Sequence, residues 1–149
     1  MSGSFYGRPM EILLVEDSQP DAAMTMRALK EGRFRHRLSV TTDGQEALEF
    51  LRREGRFARA PRPDLLLLDL QLPRMDGREL LKEIRSDETI AEIPVVVMTS
   101  SPDHEELIRA EHLAVEDYLT KPIDPAGFID LIRRLRDYWR ADVVLPVLD

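Results

Sequence analysis

Leu65-Leu66-Leu67-Leu68-Asp69 is four leucines in a row closed by an aspartate. So short and apolar a run reads as a strand of a buried, parallel sheet. Three other runs share its form. Ile12-Leu13-Leu14-Val15 is closed by Glu16-Asp17, Val95-Val96-Val97-Met98 by Thr99, and the shorter Tyr118-Leu119-Thr120 by Lys121-Pro122. A weaker strand alternates Leu38 and Val40 with Ser39 and Thr41, the pattern of a sheet edge.

The segments between the strands carry helical spacing. Ser18-Gln-Pro-Asp21 opens a first helix, in which Ser or Asp can cap and Pro suits the first turn; Ala22, Met26 and Leu29 then share a face. Ala47, Leu48 and Leu51 follow Asp43-Gly44, and Leu80, Leu81 and Ile84 follow Asp76-Gly77. A fourth helix is expected from about Asp103 to Leu113. A fifth, after Asp124-Pro125, aligns Phe128, Ile132, Leu135 and Trp139. Five alternations of strand and helix predict an α/β fold, a doubly wound five-stranded parallel sheet flanked by five helices.

In an open parallel sheet, ligands gather outside the carboxyl ends of the strands. Glu16, Asp17, Asp69, Thr99 and Lys121 would therefore converge on one rim. Carboxylates suit Mg²⁺, which keeps much of its water and is usually completed by phosphate. A carboxylate held beside that metal can attack phosphorus and become an aspartyl phosphate.

Composition narrows the alternatives. The 149 residues include 21 basic and 28 acidic ones, a net charge of −7, which argues against nucleic-acid or anionic-membrane partners. With no cysteine, disulfides and thiolate chemistry are excluded. The first nine residues lack the regions of a signal peptide, and no apolar run approaches the roughly 20 residues of a bilayer span. A cytoplasmic, soluble protein is the expectation. Arginines at 52, 53, 56, 59 and 62 lie in a loop marked by Pro61 and Pro63, read as a solvated loop in preference to a docking patch for an acidic partner.

Taken in order, Val15-Glu16-Asp17-Ser18, Asp43-Gly44, the stretch from Leu68 to Gly77, Met98-Thr99-Ser100 and Lys121-Pro122 resemble the receiver domain of two-component response regulators. The likeness spans about Met10 to Tyr138. It implies the flavodoxin-like strand order 2-1-3-4-5 and a stand-alone regulator that takes a phosphoryl group from a sensor histidine kinase. Such a protein is no enzyme beyond its own phosphorylation and dephosphorylation. Asp69 matches the phosphoacceptor. Asp17 matches a direct Mg²⁺ ligand, Glu16 one acting through metal-bound water, and Gln71 one acting through its backbone carbonyl. Thr99 and Lys121 match the pair that holds the phosphoryl oxygens, and Tyr118 the aromatic switch that moves with Thr99. The resemblance also implies a cis bond before Pro122. Gln71 and Ser101 lie where side chains tune water access. His36, His104 and His112 read as surface residues.

Each role has a plainer competitor. Asp69 could cap a helix, Asp17 could merely begin one, Lys121 could be a surface lysine and Tyr118 an edge-strand residue. A flavodoxin-like cofactor binder is disfavoured because its phosphate loop would here be Glu16-Asp17-Ser18-Gln19-Pro20-Asp21. A phosphatase of the haloacid dehalogenase type would need an aspartate at Gln71. A degenerate receiver usually lacks one of the acids, the threonine or the lysine.

The expected organisation is an N-terminal tail over 1–9, a receiver domain over 10–140 and an apolar extension over 141–149. The ending Asp137-Tyr138-Trp139 followed by Val-Val-Leu-Pro resembles single-domain regulators partnered with phytochrome-type kinases. A homodimer is expected through the face of helix 4, strand 5 and helix 5. The tail either folds back or, as favoured here, crosses to the second chain.

Overall fold

The computed structural model describes residues 8–32, 35–72, 75–100, 109 and 113–138. Five strands run in the order β2-β1-β3-β4-β5. They are β1 (Met10–Val15), β2 (His36–Thr41), β3 (Leu65–Asp69), β4 (Val95–Thr99) and β5 (Asp117–Thr120). All four pairings are parallel. Among the described residues the helices are α1 (Gln19–Glu31), α2 (Gly44–Arg52), α3 (Gly77–Ser86) and α4 (Pro125–Arg134), with short 3₁₀ turns at Gly55–Phe57 and Arg136–Tyr138. The last α-helix is the fifth of the sequence reading. The expected helix 4 falls outside the described residues apart from Arg109 and Leu113, as do Ser101, His104, His112, Trp139 and the 141–149 segment. No described helix is long and apolar enough to cross a membrane.

Strand alternation divides the core in two. Ile12, Leu14, Leu65, Leu67, Val96 and Met98 pack beneath α1 and α4, where Leu29, Phe128, Leu131 and Ile132 cover them. Leu13, Val15, Leu66, Leu68, Val95 and Val97 face α2 and α3 through Leu48, Leu51, Leu80, Leu81 and Ile84. The strand interiors of β1, β3 and β4 are shut away on both faces, as their continuous apolar runs require. β2 lies at the edge, and its Val40 is exposed.

Two details differ from the pattern. Met26 is 47% exposed, whereas Thr25 is buried with Ala22, Ala28 and Leu29. The buried stripe of α1 is centred on positions 22, 25 and 29, and one residue further turns the side chain by about 100° and out of contact. β1 stops at Val15, before the acid that closes its apolar run, whereas β3 takes in its closing Asp69. This leaves Glu16 just past β1, where its N–H still bonds Thr41 O at 3.0 Å.

Each described α-helix start is fixed by a side chain from the turn before it. Ser18 caps α1 by accepting from Asp21 N–H, Asp43 caps α2, Asp76 caps α3 and Asp124 caps α4. At the other end of the sheet, Arg85 of α3 fastens the entries to β4 and β5. Its guanidinium donates to the carbonyls of Ala91, Ile93 and Ala114 and to Glu116, which in turn accepts from Val95 N–H. Of the five arginines expected in the loop before β3, Arg52 instead ends α2, and three are engaged within the chain. Arg52 reaches Asp87 and Glu83, Arg56 pairs with Glu46, and Arg62 donates to Thr89 O.

Candidate functional site

The strand ends come level because the register makes them so. Val15 pairs with Leu68, Asp69 with Met98 and Thr99 with Thr120. Glu16-Asp17, Asp69, Thr99 and Lys121 thus all emerge at the carboxyl edge. With Ser18, Asp21, Met24, Thr25, Gln71, Ser100, Pro122 and Ile123 they line a cavity of about 640 Å³.

Lys121 is the hub. Its Nζ donates to Glu16 Oε1 at 2.7 Å, Asp21 Oδ2 at 3.0 Å and Asp69 Oδ2 at 3.0 Å. Its own N–H bonds Thr99 O at 2.9 Å, and the Lys121–Pro122 bond is cis. The side chain is 16% exposed, so it is no surface lysine. Burial works against its charge, yet the hydrogen bonds to Glu16, Asp21 and Asp69 outweigh that and hold the ammonium above the ordinary lysine range.

Glu16 is enclosed, with a side chain 0% exposed. Burial pushes its carboxyl up to about 7, the nearby Asp69 carboxylate adds to the rise, and Lys121 opposes it. Asp69 is buried at the tip of β3. One oxygen takes the Lys121 ammonium and the other accepts Gln71 N–H at 3.1 Å. Asp17, one residue beyond Glu16, is exposed. Ligand oxygens of Glu16, Asp17 and Asp69 all lie within 4.8 Å of one another.

That donor set fits a hard divalent cation. Oxygens around one octahedral Mg²⁺ stand at most about 4.2 Å apart, twice its bond length, so only a small closure is needed. Carboxylates of this kind select Mg²⁺, Ca²⁺ or Mn²⁺ over softer metals.

Thr99 is buried at the end of β4, and Gln71 follows Asp69 by two residues in the cavity wall. Tyr118 stands apart from the cavity lining. It pairs in register with Val97 and packs with the α2–α3 side of the core, with the Arg109 guanidinium 5.4 Å from its ring centroid. Side chains two apart on a strand share a face, so Thr99 and Tyr118 are diagonal neighbours across β4 and β5. His36 begins β2 at the opposite end of the sheet.

Sequence reasoning passed over Asp21, which it offered only as a helix cap. Ser18 does the capping, at 3.2 Å from Asp21 N, and leaves the Asp21 carboxylate to Lys121. The available signal was position: an acid in the first turn of the helix after β1 lies back over the carboxyl edge.

Comparison with known proteins places these features in one family. The profile of the response regulator receiver domain matches residues 12–133. Response regulator Rcp1 of Synechocystis sp. is 39% identical over 138 residues, 93% of this chain and 94% of its own length. The solved Mn²⁺-bound form of Rcp1 superposes with a TM-score of 0.71, covering 93% of this chain and 100% of that one. Bacteriophytochrome response regulator RtBRR gives a TM-score of 0.81 at 36% identity, over 89% of this chain and 81% of its own. The phosphorylated cyanobacterial phytochrome response regulator RcpA gives 0.73 at 38% identity, over 93% and 99%.

Proposed function

This chain belongs to the response regulator receiver domain family, and from that premise we propose that it accepts a phosphoryl group on Asp69 from a sensor histidine kinase in a Mg²⁺-dependent reaction. The observation that carries the reading is the convergence of Glu16, Asp17, Asp69 and Lys121 at one carboxyl edge.

Asp69 is the nucleophile. A carboxylate oxygen attacks phosphorus, the phosphorus–nitrogen bond of the donor phosphohistidine breaks, and the imidazole leaves with its electron pair. Lys121 then turns a donor to the phosphoryl oxygens, with the Thr99 hydroxyl donating beside it. These groups meet charge spread over the equatorial oxygens, the main demand of phosphoryl transfer. Asp17, Asp69 and the Gln71 carbonyl would hold the Mg²⁺, with Glu16 acting through its water. When bound, the ion neutralises charge on acceptor and phosphoryl group. The enclosure of Glu16 against Lys121 and the exposure of Asp17 support that division. The Mn²⁺-bound Rcp1 and phosphorylated RcpA structures, as relatives, support both halves of the reading.

Output would pass through Tyr118. Movement of Thr99 toward the phosphoryl group vacates space for the neighbouring ring and biases the face of the 103–113 segment, β5 and α4. The same face, extended by the apolar 141–149 segment, would pair two copies of the chain. Val143, Val144, Leu145, Val147 and Leu148 gain roughly 1.5–3 kcal/mol each when buried, which favours their coverage by a partner. Relatives named for phytochrome signalling support a phytochrome-type kinase as the donor.

Phosphotransfer from autophosphorylated histidine kinases of the same organism tests the reading. Label should pass to the wild type from its cognate kinase and not to Asp69→Asn. Equal labelling of Asp69→Asn would refute it.

A further inference from the structure

Lys121 has three N–H donors, and all three are committed to carboxylates: Glu16 at 2.7 Å, Asp21 at 3.0 Å and Asp69 at 3.0 Å. A phosphoryl group on Asp69 needs at least one of those donors. The three acceptors differ in how readily they give one up. Glu16 has no exposed side-chain surface, so releasing it strands a carboxylate away from water. Asp69 is the point of attachment. The Asp21 side chain is 41% exposed, and it sits in the first turn of α1, where the helix end favours negative charge. Its carboxylate can return to solvent at small cost. Capping does not explain its position, because Ser18 supplies the cap.

We propose that Asp21 is a positioning residue that holds the Lys121 ammonium in the resting site and competes for it with the transferred phosphoryl group. The inference rests on the reading of Asp69 as phosphoacceptor. Asp21 makes and breaks no covalent bond. It acts by occupying one of the three Lys121 donors in the resting site, so that the ammonium swings to the phosphoryl oxygens only as that ion pair loosens. An acid that served only to draw a divalent cation into the cavity would act with the opposite sign, since its removal would then weaken the modified state.

Beryllium fluoride, a tetrahedral stand-in for the phosphoryl group on a carboxylate, separates the two. Titration of wild type, Asp21→Asn, Asp21→Ala and Asp21→Glu at saturating Mg²⁺, followed by amide chemical shifts, keeps metal affinity out of the comparison. Both Asp21→Asn and Asp21→Ala should bind beryllium fluoride about threefold more tightly than wild type, the scale of a half-exposed ion pair. Asp21→Glu, which keeps the charge, should return to the wild-type affinity. Unchanged or weaker binding by Asp21→Asn and Asp21→Ala overturns the proposal, as does Asp21→Glu behaving like Asp21→Asn. If wild type itself fails to bind beryllium fluoride, the phosphoacceptor reading falls, and this inference falls with it.

Discussion

Replacing Lys121 by methionine should destabilise the metal-free protein in a strongly pH-dependent way. The substitution keeps most of the stem and removes the ammonium that meets Glu16, Asp21 and Asp69. Two of those carboxylates are buried, and an unpaired buried charge costs about 3–5 kcal/mol. Glu16 has an escape by protonation. Its folded-state value, near 7 against an ordinary 4.5, means the native state binds the proton more tightly than the unfolded chain does. Stability from that proton is fully present below the unfolded value and is lost as pH rises through 7. Without Lys121 the carboxyl rises further, so the mutant sheds stability over a wider window. The penalty should be about 1–2 kcal/mol near pH 6 and about 3–4 kcal/mol near pH 8.5. Urea unfolding followed by far-UV circular dichroism in chelator gives both values. Saturating Mg²⁺ should then recover more stability in the mutant than in the wild type at the higher pH, because the cation meets Asp69 and Glu16, the two buried acids that have lost the ammonium. A penalty below about 0.5 kcal/mol at both pH values, as for an exposed lysine, would refute the reasoning.

Other consequences follow from the same geometry. Wild-type Mg²⁺ affinity, measured by calorimetry, should rise as pH passes through 7, because Glu16 then gives up the proton that competes with the cation; a flat profile from pH 6 to 8 would count against it. Asp17→Ala should weaken Mg²⁺ binding by at least about tenfold, more than Glu16→Ala, since Asp17 is the exposed acid of the triad and Glu16 is tied to Lys121; the reverse order would exchange their roles. Thr99→Ala should still take up phosphoryl groups from a small-molecule donor but fail to shift the amide signals of β5 and α4, and wild-type-like shifts would disprove the coupling to Tyr118. Phe128→Ala should cost about 3–5 kcal/mol in urea unfolding, because its side chain is wholly enclosed between α4 and the sheet; a cost under about 1 kcal/mol would mean that this face of the core is not packed as described.

The sheet was legible because its inner strands are apolar without interruption. Such runs sit comfortably only between two helical layers, and their polar end residues then mark one rim. Asp69, Glu16 and Lys121 converge as that reading requires. The orientation of a long side chain is less visible in sequence. Met26 and Thr25 differ by a single helical step, and packing against the sheet decided between them. Asp21 escaped notice because capping and ion pairing use the same residue type, and only geometry shows that Ser18 took the first task. Arg85 is equally silent in sequence. Its role depends on three carbonyls and Glu116, brought together by the folding of three separate segments.

Intact-mass analysis after incubation with a small-molecule phosphodonor probes the central claim most directly. Wild type with Mg²⁺ should gain one phosphoryl group that survives acid and is lost in base, as an acyl phosphate is. Chelator should abolish the gain, and so should Asp69→Asn. A phosphoryl group of the same lability on Asp69→Asn, or full modification of the wild type in chelator, would contradict the assignment of Asp69 as the metal-assisted acceptor.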